Sequence, residues 1–335
     1  MNPNIQERKK IKEEYNMYCL KGPKSYYDYE KHEIKFNECE RYEIQTHLGR
    51  GKYSDVYTAV DILTNKPIVI KLLKPVREAK ITRETSILKA LKGGPYIIEL
   101  LDVCMDPMTK TPAFVFEYLS PVNLKQVMHT LTDLDIRIYI YKILIALDYC
   151  HSRGIMHRDI KPMNVIVDTI TKELRIIDWG LSEYYINGKE YNTRVSSRPY
   201  KSPELLLNYQ LYDFSMDIWS LGCIFAAMLF QKDYFFLGRD NQDQLGKIVN
   251  ILGSKDFFDY VKKYDIPVES QDYVLYKNKA KNLFENFVND ECAHLCNADA
   301  LSLLNMMLLY DHDERITARE ALKHCYFDPI RQKYE

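Results

Sequence analysis

Three polar residues of different chemical types lie within the six positions from 159 to 164. Asp159 is a carboxylate that can accept a proton from a hydroxyl group, and Lys161 is an ammonium group that can hold a γ-phosphate. Asn164 supplies an amide oxygen, a ligand that suits a hard cation such as Mg²⁺. Each residue alone is typical of a polar loop, but together they are the groups that phosphoryl transfer requires.

The elements on either side place these residues on a loop. Apolar residues recur at helical spacing from 136 to 151, and short apolar strands follow at 165–167 and 174–177. The intervening run, His-Arg-Asp-Ile-Lys-Pro-Met-Asn at 157–164, resembles the catalytic loop of protein kinases in six of its eight positions. The resemblance implies that the chain is a protein kinase.

A glycine-containing turn, Gly-Arg-Gly-Lys-Tyr-Ser-Asp-Val at 49–56, lies between two predicted strands. Glycine allows the backbone to approach a phosphate closely and to direct N–H groups at it. Hairpin turns also favour glycine, and Ser54 replaces the third glycine of the common kinase loop, so this motif alone is weak. The residues predicted to bind a nucleotide here are Leu48, Gly49, Arg50, Gly51, Lys52, Tyr53, Ser54 and Val56.

A lysine and a glutamate on consecutive elements indicate a buried ion pair. In the alternating strand predicted at 67–74, Lys71 shares a face with apolar residues, which is costly unless an anion meets the ammonium group. Glu84 is the only charge on the apolar stripe of the helix predicted at 79–91. In kinases such a pair positions the lysine on the α- and β-phosphates, so Lys71 and Glu84 are predicted catalytic residues.

The resemblance to kinases assigns further positions. Asp178, at the start of Asp178-Trp179-Gly180, stands where kinases carry a second metal ligand beside Asn164. Glu204 is expected to pair with Arg315, and Asp217 to hold the backbone of the catalytic loop. The resemblance assigns the remainder of the nucleotide pocket to Val69, Phe116, Glu117, Leu119, Met163 and Ile177, with ATP or GTP as co-substrate and Mg²⁺, or alternatively Mn²⁺, as the metal.

The resemblance also implies an α+β fold of two lobes. The smaller lobe has an antiparallel sheet with one main helix, and the larger lobe is mainly helical. We expect an N-terminal segment at 1–41 anchored by Tyr26, Tyr27 and Tyr29, and a C-terminal tail at 328–335. The predicted lobes are 42–118 and 123–327, joined by a hinge at 119–122.

The composition argues against binding that depends on the overall charge of the protein. The 335 residues carry a net charge of −1 and are 46% hydrophobic, so no overall field attracts nucleic acid or membranes. The eight cysteines are scattered and no signal peptide precedes them, which favours reduced thiols and an intracellular protein. We expect the protein in the cytoplasm and the nucleus.

Within the kinases, the chain is similar to the catalytic α subunits of the casein kinase II family. The stretches that carry this likeness are 49–54, 73–76, 93–98, 147–159, 177–181 and 310–312. The likeness implies serine/threonine specificity, acidic protein substrates, and activity without phosphorylation of the activation segment, which residues 1–41 would brace. It also implies a regulatory β-subunit dimer that docks on the outer face of the small-lobe sheet, at Ile44, Tyr57, Ile70, Leu72 and Val115.

Two basic clusters are candidates for substrate recognition. The first is thinner than in that family because Glu78 and Ala79 interrupt it, so we expect weaker selection of an acid three residues after the target. The second lies in the activation segment, where Pro199 and Ser202 depart from the family pattern, as Met163 does in the catalytic loop. The clusters are Lys74, Arg77, Lys80 and Arg83, and Arg194, Arg198 and Lys201.

Two other functions are compatible with the same motifs. A pseudokinase scaffold would bind partners without transferring phosphate, although every catalytic position is occupied by the expected residue type. A proline-directed kinase of the same wider group would suit the long insert at 232–288, but Trp179 and the 49–54 stretch argue against it.

Overall fold

The computed structural model describes residues 3–51, 53–75, 77–119 and 122–334. It has two lobes, with a six-stranded sheet and one long helix in the smaller lobe and helices in most of the larger lobe. Part of the predicted hinge, Ser120 and Pro121, lies outside the described residues, as do Lys52 and Val76. Among the described residues, we find no helix with the length and apolar character needed to cross a membrane.

The small-lobe sheet confirms the predicted alternation. Its strands in spatial order are β1 (Asn37–Glu38), β5 (Leu100–Met105), β6 (Pro112–Glu117), β4 (Lys66–Leu73), β3 (Ser54–Asp61) and β2 (Tyr42–Arg50). All neighbours are antiparallel except β1 and β5. In β4, Lys71 pairs with Val56 on one side and Phe114 on the other, so Lys71 lies near the centre of the sheet.

Helix α2 (Glu78–Ala90) covers the inner side of the small lobe. Its buried stripe includes Ile81, Ile87 and Leu88, and Glu84 lies on the same stripe as predicted. Helical spacing therefore fixes the direction of Glu84, because its apolar neighbours must face the core.

The large lobe is built around one helix that is apolar nearly all round. The residues of this helix, α6 (Ser215–Leu229), are all buried. The other helices are α3 (Leu124–Val127), α4 (Asp133–His151), α5 (Pro203–Leu206), α7 (Asn241–Leu252), α8 (Ser254–Lys263), α9 (Ser270–Tyr276), α10 (Ala298–Met307), α11 (Ala318–Leu322) and α12 (Asp328–Tyr334). Four short strands accompany them, β7 (Ile155–Met156), β8 (Val165–Val167), β9 (Leu174–Ile176) and β10 (Glu183–Tyr184).

The N-terminal segment is more ordered than its composition indicates. Helix α1 (Pro3–Lys21) buries Ile11, Tyr15 and Cys19, which recur every four residues and form a single narrow stripe among charged residues. The composition-based analysis missed this stripe. Lys12 anchors the helix to the large lobe through an ion pair of 2.9 Å with Asp213.

The outer face of the sheet is only partly open. Two of the predicted docking residues, Ile70 and Val115, present almost no exposed surface, because they are 3% and 0% exposed. They belong to a small apolar cluster that Cys39 and Tyr42, from the segment around β1, help to cover. The three other predicted docking residues, Ile44, Tyr57 and Leu72, are exposed or half-buried.

Candidate active site

A buried carboxylate at the start of α6 fixes the catalytic loop. Asp217 accepts hydrogen bonds from the backbone N–H groups of His157, at 2.9 Å, and Arg158, at 2.8 Å. Its Oδ2 also lies 3.0 Å from Nε2 of His151, the last residue of α4. Arg158 has a φ of +66°, an unfavourable backbone conformation for a residue with a side chain, and these bonds help to hold it there.

Lys161 and Asn164 both contact Asp159. Lys161 Nζ lies 2.6 Å from Oδ2 of Asp159. Asn164 donates from Nδ2 to the backbone oxygen of Asp159 at 2.9 Å and to its Oδ2 at 3.1 Å. Because these bonds use the amide nitrogen of Asn164, its Oδ1 is left for another partner.

Sequence reasoning missed one residue of this group. Ser197 of the activation segment donates to Oδ1 of Asp159 from its backbone N–H, at 3.1 Å, and from its hydroxyl, at 3.2 Å. Lys161 Nζ lies 3.1 Å from the same hydroxyl oxygen. The sequence offered only a serine in a loop, and it is the fold that brings this serine to the carboxylate.

The predicted Lys71–Glu84 ion pair is present at the back of the cleft. Lys71 Nζ is 2.8 Å from Oε1 of Glu84 and 3.1 Å from Oδ1 of Asp178. Burial acts to lower the pKa of Lys71, but the carboxylates of Glu84 and Asp178 outweigh it and raise this pKa above its usual value. The lysine therefore remains a cation in a buried position.

The turn after β9 directs Asp178 towards the cleft. Asp178 has a φ of +62°, and the side chain of Trp179 behind it is 1% exposed. The indole N–H of Trp179 donates to the backbone oxygen of Ile176 at 3.2 Å, and the His157 ring lies against the indole at 4.6 Å. Trp179 thus packs and hydrogen-bonds in one position, which secures the backbone of the turn.

A cavity of about 520 Å³ lies between the lobes and brings most of the predicted nucleotide residues together. Ile98 and Ile166 also line it, and sequence analysis missed both, although Ile166 alternates with the buried Val165 and Val167. The predicted residues that line the cavity are Leu48, Gly49, Arg50, Gly51, Ser54, Val56, Val69, Lys71, Phe116, Glu117, Leu119, Met163 and Ile177.

Tyr53 does not line this cavity, so its predicted contact with a nucleotide is not seen. Its side chain is 49% exposed, and the ammonium group of Lys80 lies 4.8 Å from its ring centre. Tyr53 lies in the turn between β2 and β3, outside both strands. Lys52, its neighbour, lies outside the described residues.

Asn164 and Asp178 fit a divalent cation. Both line the cavity, and the Asp178 side chain is 48% exposed although it contacts Lys71. The cation of Lys71 and burial act on Asp178 in opposite directions; the cation outweighs burial and lowers the pKa of this carboxyl below its usual value. Amide and carboxylate oxygens are ligands that Mg²⁺ accepts, with phosphate oxygens and water completing its shell.

Two predicted substrate-binding cations are engaged inside the protein. Arg83 points inwards, where it donates to the backbone oxygen of Gly180 at 2.8 Å and lies 3.4 Å from Glu183. Lys201 is 9% exposed and donates to the backbone oxygens of Thr193 and Val195. For these two residues the prediction of a free, substrate-facing cation is wrong, because helical position and local folding direct both side chains inwards.

The other predicted cations lie nearer to solvent. Lys74 Nζ donates to the backbone oxygen of Gly51 at 2.6 Å, so Lys74 supports the glycine-containing turn. Arg194 and Arg198 are exposed on the activation segment, and Arg198 donates to the backbone oxygen of Arg239 at 2.6 Å. Arg77, at the start of α2, is also exposed.

A comparison with known protein families matches residues 42–327 to the protein kinase domain. The chain belongs to the protein kinase family. It is therefore a phosphotransferase, and the family implies the use of ATP with a divalent metal, typically Mg²⁺. The matched residues include both lobes and every active-site contact described above, whereas α1 and β1 lie before them.

Proposed function

We propose that this kinase transfers the γ-phosphate of ATP to serine and threonine in acidic sequence contexts, as a catalytic subunit of the casein kinase II type. The observation that carries the proposal is the contact of Asp159 with Ser197. There a hydroxyl on a short side chain, that of Ser197, lies within hydrogen-bond distance of the catalytic carboxylate. A tyrosine ring would carry its hydroxyl several ångströms further out.

In this proposal each residue of the site has a separate task. Asp159 orients the substrate hydroxyl and accepts its proton, while Lys161 holds the transferred phosphate near that carboxylate. Lys71, kept charged by Glu84, binds the nucleotide phosphates. Asn164 and Asp178 would hold Mg²⁺, which neutralises charge on the phosphate oxygens when bound.

A preference for acidic substrates follows from local charge. The overall charge of −1 attracts nothing over a distance, so exposed Arg194 and Arg198 must supply the attraction beside the substrate. In the first cluster, Lys74 and Lys80 contact residues of the glycine-containing turn. Arg77 is exposed, and no such contact is seen for it in the described part of the chain. We therefore expect a stronger preference at the position after the target than at the third position.

Activity without phosphorylation of the activation segment is part of the proposal. Glu183 Oε2 lies 3.9 Å from Arg158 and 3.4 Å from Arg83, where a phosphate could otherwise bind these guanidinium groups. Tyr29 of the N-terminal segment donates to the same oxygen at 3.2 Å. A phosphate on Ser197 would meet the Asp159 carboxylate, so that serine is a poor site for an activating switch.

The remaining parts of the proposal concern partners and conditions. Ile44, Tyr57 and Leu72 would contribute to docking of a regulatory β-subunit dimer, GTP and Mn²⁺ would serve as alternatives to ATP and Mg²⁺, and the protein would act in cytoplasm and nucleus. A pull-down with the β subunit tests the first point. If the double variant Ile44→Asp with Tyr57→Ala binds the β subunit with unchanged affinity, the outer sheet face is not the docking surface.

A peptide panel tests the proposed specificity. Peptides with Ser-Asp, Ser-x-x-Glu, Ser-Pro and the matching Tyr are compared by kcat/KM with ATP and with GTP. We expect the acidic serine peptides to lead. Preference for Ser-Pro would establish the proline-directed alternative, and no transfer to any peptide, with Asp159→Asn as the inactive reference, would establish the scaffold.

A further inference from the structure

Two thiols from distant parts of the chain meet at the edge of the small-lobe sheet. Cys39 and Cys104 are 65 residues apart in sequence, and Cys39 Sγ lies 2.8 Å from Cys104 Sγ. Both are free cysteines; Cys104 is fully buried in β5, and Cys39 is half-buried. We propose that Cys39 and Cys104 form a site of reversible disulfide formation.

The backbone already holds the two residues in a suitable relation. Strand β1 pairs in parallel with β5, with Asn37 opposite Cys104, and β1 ends where a 3₁₀ turn begins at Cys39. A side-chain bond from Asn37 to Asp102, at 2.7 Å, and one from the Tyr42 hydroxyl to Asp102, at 2.7 Å, fix the segment on both sides of Cys39. Since a disulfide places its sulfur atoms about 2.05 Å apart, the sulfurs need to approach by less than about 1 Å.

The reaction is a two-electron oxidation by a hydroperoxide. The Cys39 thiolate attacks the peroxide oxygen to give a sulfenic acid and, for hydrogen peroxide, one water molecule. Cys104 then attacks the sulfenic sulfur, its proton leaves with the hydroxyl group as a second water, and the S–S bond forms. Two thiols and one hydrogen peroxide thus give one disulfide and two waters, and an added dithiol reverses the oxidation.

The surroundings of Cys39 and Cys104 decide how fast the oxidation begins and which thiol reacts first. Burial and the carboxylates of Asp106 and Asp102 act to raise the pKa of Cys39, and the neighbouring Cys104 only partly opposes them. Little thiolate is present at neutral pH as a result, so the attack of Cys39 on peroxide is the slow step, and the proximity of Cys104 assists only the disulfide formation that follows. Cys39 is reached first, because Cys104 is covered by the apolar cluster of the outer sheet face.

The bond would join the N-terminal segment to the small lobe. Residues 3–21 are anchored on the large lobe, and Cys39 marks the other end of the same segment. A bond there closes a long loop and keeps Cys39 and Tyr42 over the apolar cluster that contains Ile70 and Val115. Closing such a loop disfavours the unfolded chain, so the oxidised protein should melt at a higher temperature.

The test uses the full chain in the reduced state, treated with hydrogen peroxide. Remaining thiols are alkylated under denaturing conditions, and the protein is digested without reduction. We expect a Cys39–Cys104 cross-linked peptide as the main disulfide and a melting temperature raised by about 2–6 °C, reversed by dithiothreitol. Both effects should be absent in Cys39→Ser.

Two internal references make the result decisive. Cys325 is exposed, and its described side-chain contacts are with Asp299 and His324, so Cys325→Ser should behave as the wild type. Cys292 and Cys296 are neighbouring thiols in the large lobe and report unselective oxidation. The proposal is overturned if peroxide cross-links Cys292 and Cys296 first, or if Cys39 and Cys104 are both recovered as separately alkylated or sulfonic acid peptides.

Discussion

Two buried cation–carboxylate pairs of this kinase differ in how completely they are satisfied. Arg315 and Glu204, at the end of the activation segment, are both 0% exposed, with N–O distances of 2.8 and 3.1 Å. Arg315 also donates to the backbone oxygens of Leu309, Ser215 and Tyr310. All three nitrogens of its guanidinium group therefore have acceptors. We call Arg315–Glu204 the saturated pair, because its hydrogen-bonding groups are occupied by other parts of the protein.

The Lys71 pair is arranged differently. One cation faces two carboxylates, Glu84 and Asp178, and the second of these is 48% exposed towards the cavity. These three residues together carry more negative than positive charge, and Asp178 faces the cavity. We call Lys71 and its carboxylates the unsaturated pair. A saturated pair secures the fold, whereas an unsaturated pair leaves capacity for a ligand, here a nucleotide with its metal.

The largest expected effect comes from breaking the saturated pair. Arg315→Met leaves Glu204 as a buried, unpaired carboxylate and should lower the free energy of unfolding by about 3–5 kcal/mol. Urea denaturation followed by circular dichroism measures this loss. The exposed Arg239→Met serves as the matched variant, and a loss below about 1 kcal/mol for Arg315→Met would show that the pair is not structural.

Breaking the unsaturated pair should affect catalysis more than stability, because Asp178 is partly exposed and Glu84 can take up a proton when Lys71 is removed. Lys71→Met should lower kcat by about 10²–10³, because one preorganised charge at the phosphates is lost. Asp159→Asn should have a loss of at least that size. Radiolabelled phosphate transfer gives the rates, and near-normal turnover in either variant would contradict the assigned roles.

The saturated pair should also be visible in the pH dependence of stability. Burial opposes ionisation of Glu204, but Arg315 outweighs it and lowers the pKa of this carboxyl below the usual value. The resulting stability is fully present above the unfolded pKa of about 4.3 and is lost as the pH falls through the lower folded value. Melting temperatures of wild type and Glu204→Gln should therefore converge below about pH 4; parallel curves would count against the linkage.

Glu183 contacts Arg83, Arg158 and Tyr29, and a change to one of these contacts should have a smaller effect. Tyr29→Phe removes one hydrogen bond to Glu183 and should lower kcat/KM about two- to tenfold in unphosphorylated protein. Tyr27→Phe is the comparison, since Tyr27 packs on the core and we find no hydroxyl bond for it among the described residues. Equal activities in both variants would remove the N-terminal segment from regulation.

Exposed charges should have the smallest effects. Arg198→Ala should lower the preference for Asp after the target serine about three- to tenfold, whereas Glu78→Lys with Ala79→Lys should raise the preference at the third position by a similar factor. Lys201→Ala is expected to change stability more than specificity, because its ammonium group is buried. Peptide kcat/KM values at two salt concentrations separate these outcomes, and a salt-independent preference would contradict an electrostatic origin.

Local pattern was enough to predict the strands that hold Lys71 and the helix stripe that holds Glu84. In both cases apolar neighbours in the same element must face the core, and this fixes the direction of the charged residue between them. The same reasoning failed for Arg83 and Lys201. Their directions depend on Gly180, Glu183, Thr193 and Val195, which come close only after the chain has folded.

By itself the sequence determined the kinase motifs, which follow from residue type and spacing. The resemblance of those motifs to the kinase family then implied the two-lobe order of elements and most of the nucleotide pocket. Tertiary structure alone decided that Ser197 reaches Asp159, that Tyr29 reaches Glu183 and that Cys39 meets Cys104. Each of these contacts joins residues 38 to 154 positions apart. Contacts over such separations leave no periodic pattern in the sequence, since they depend on how whole elements pack.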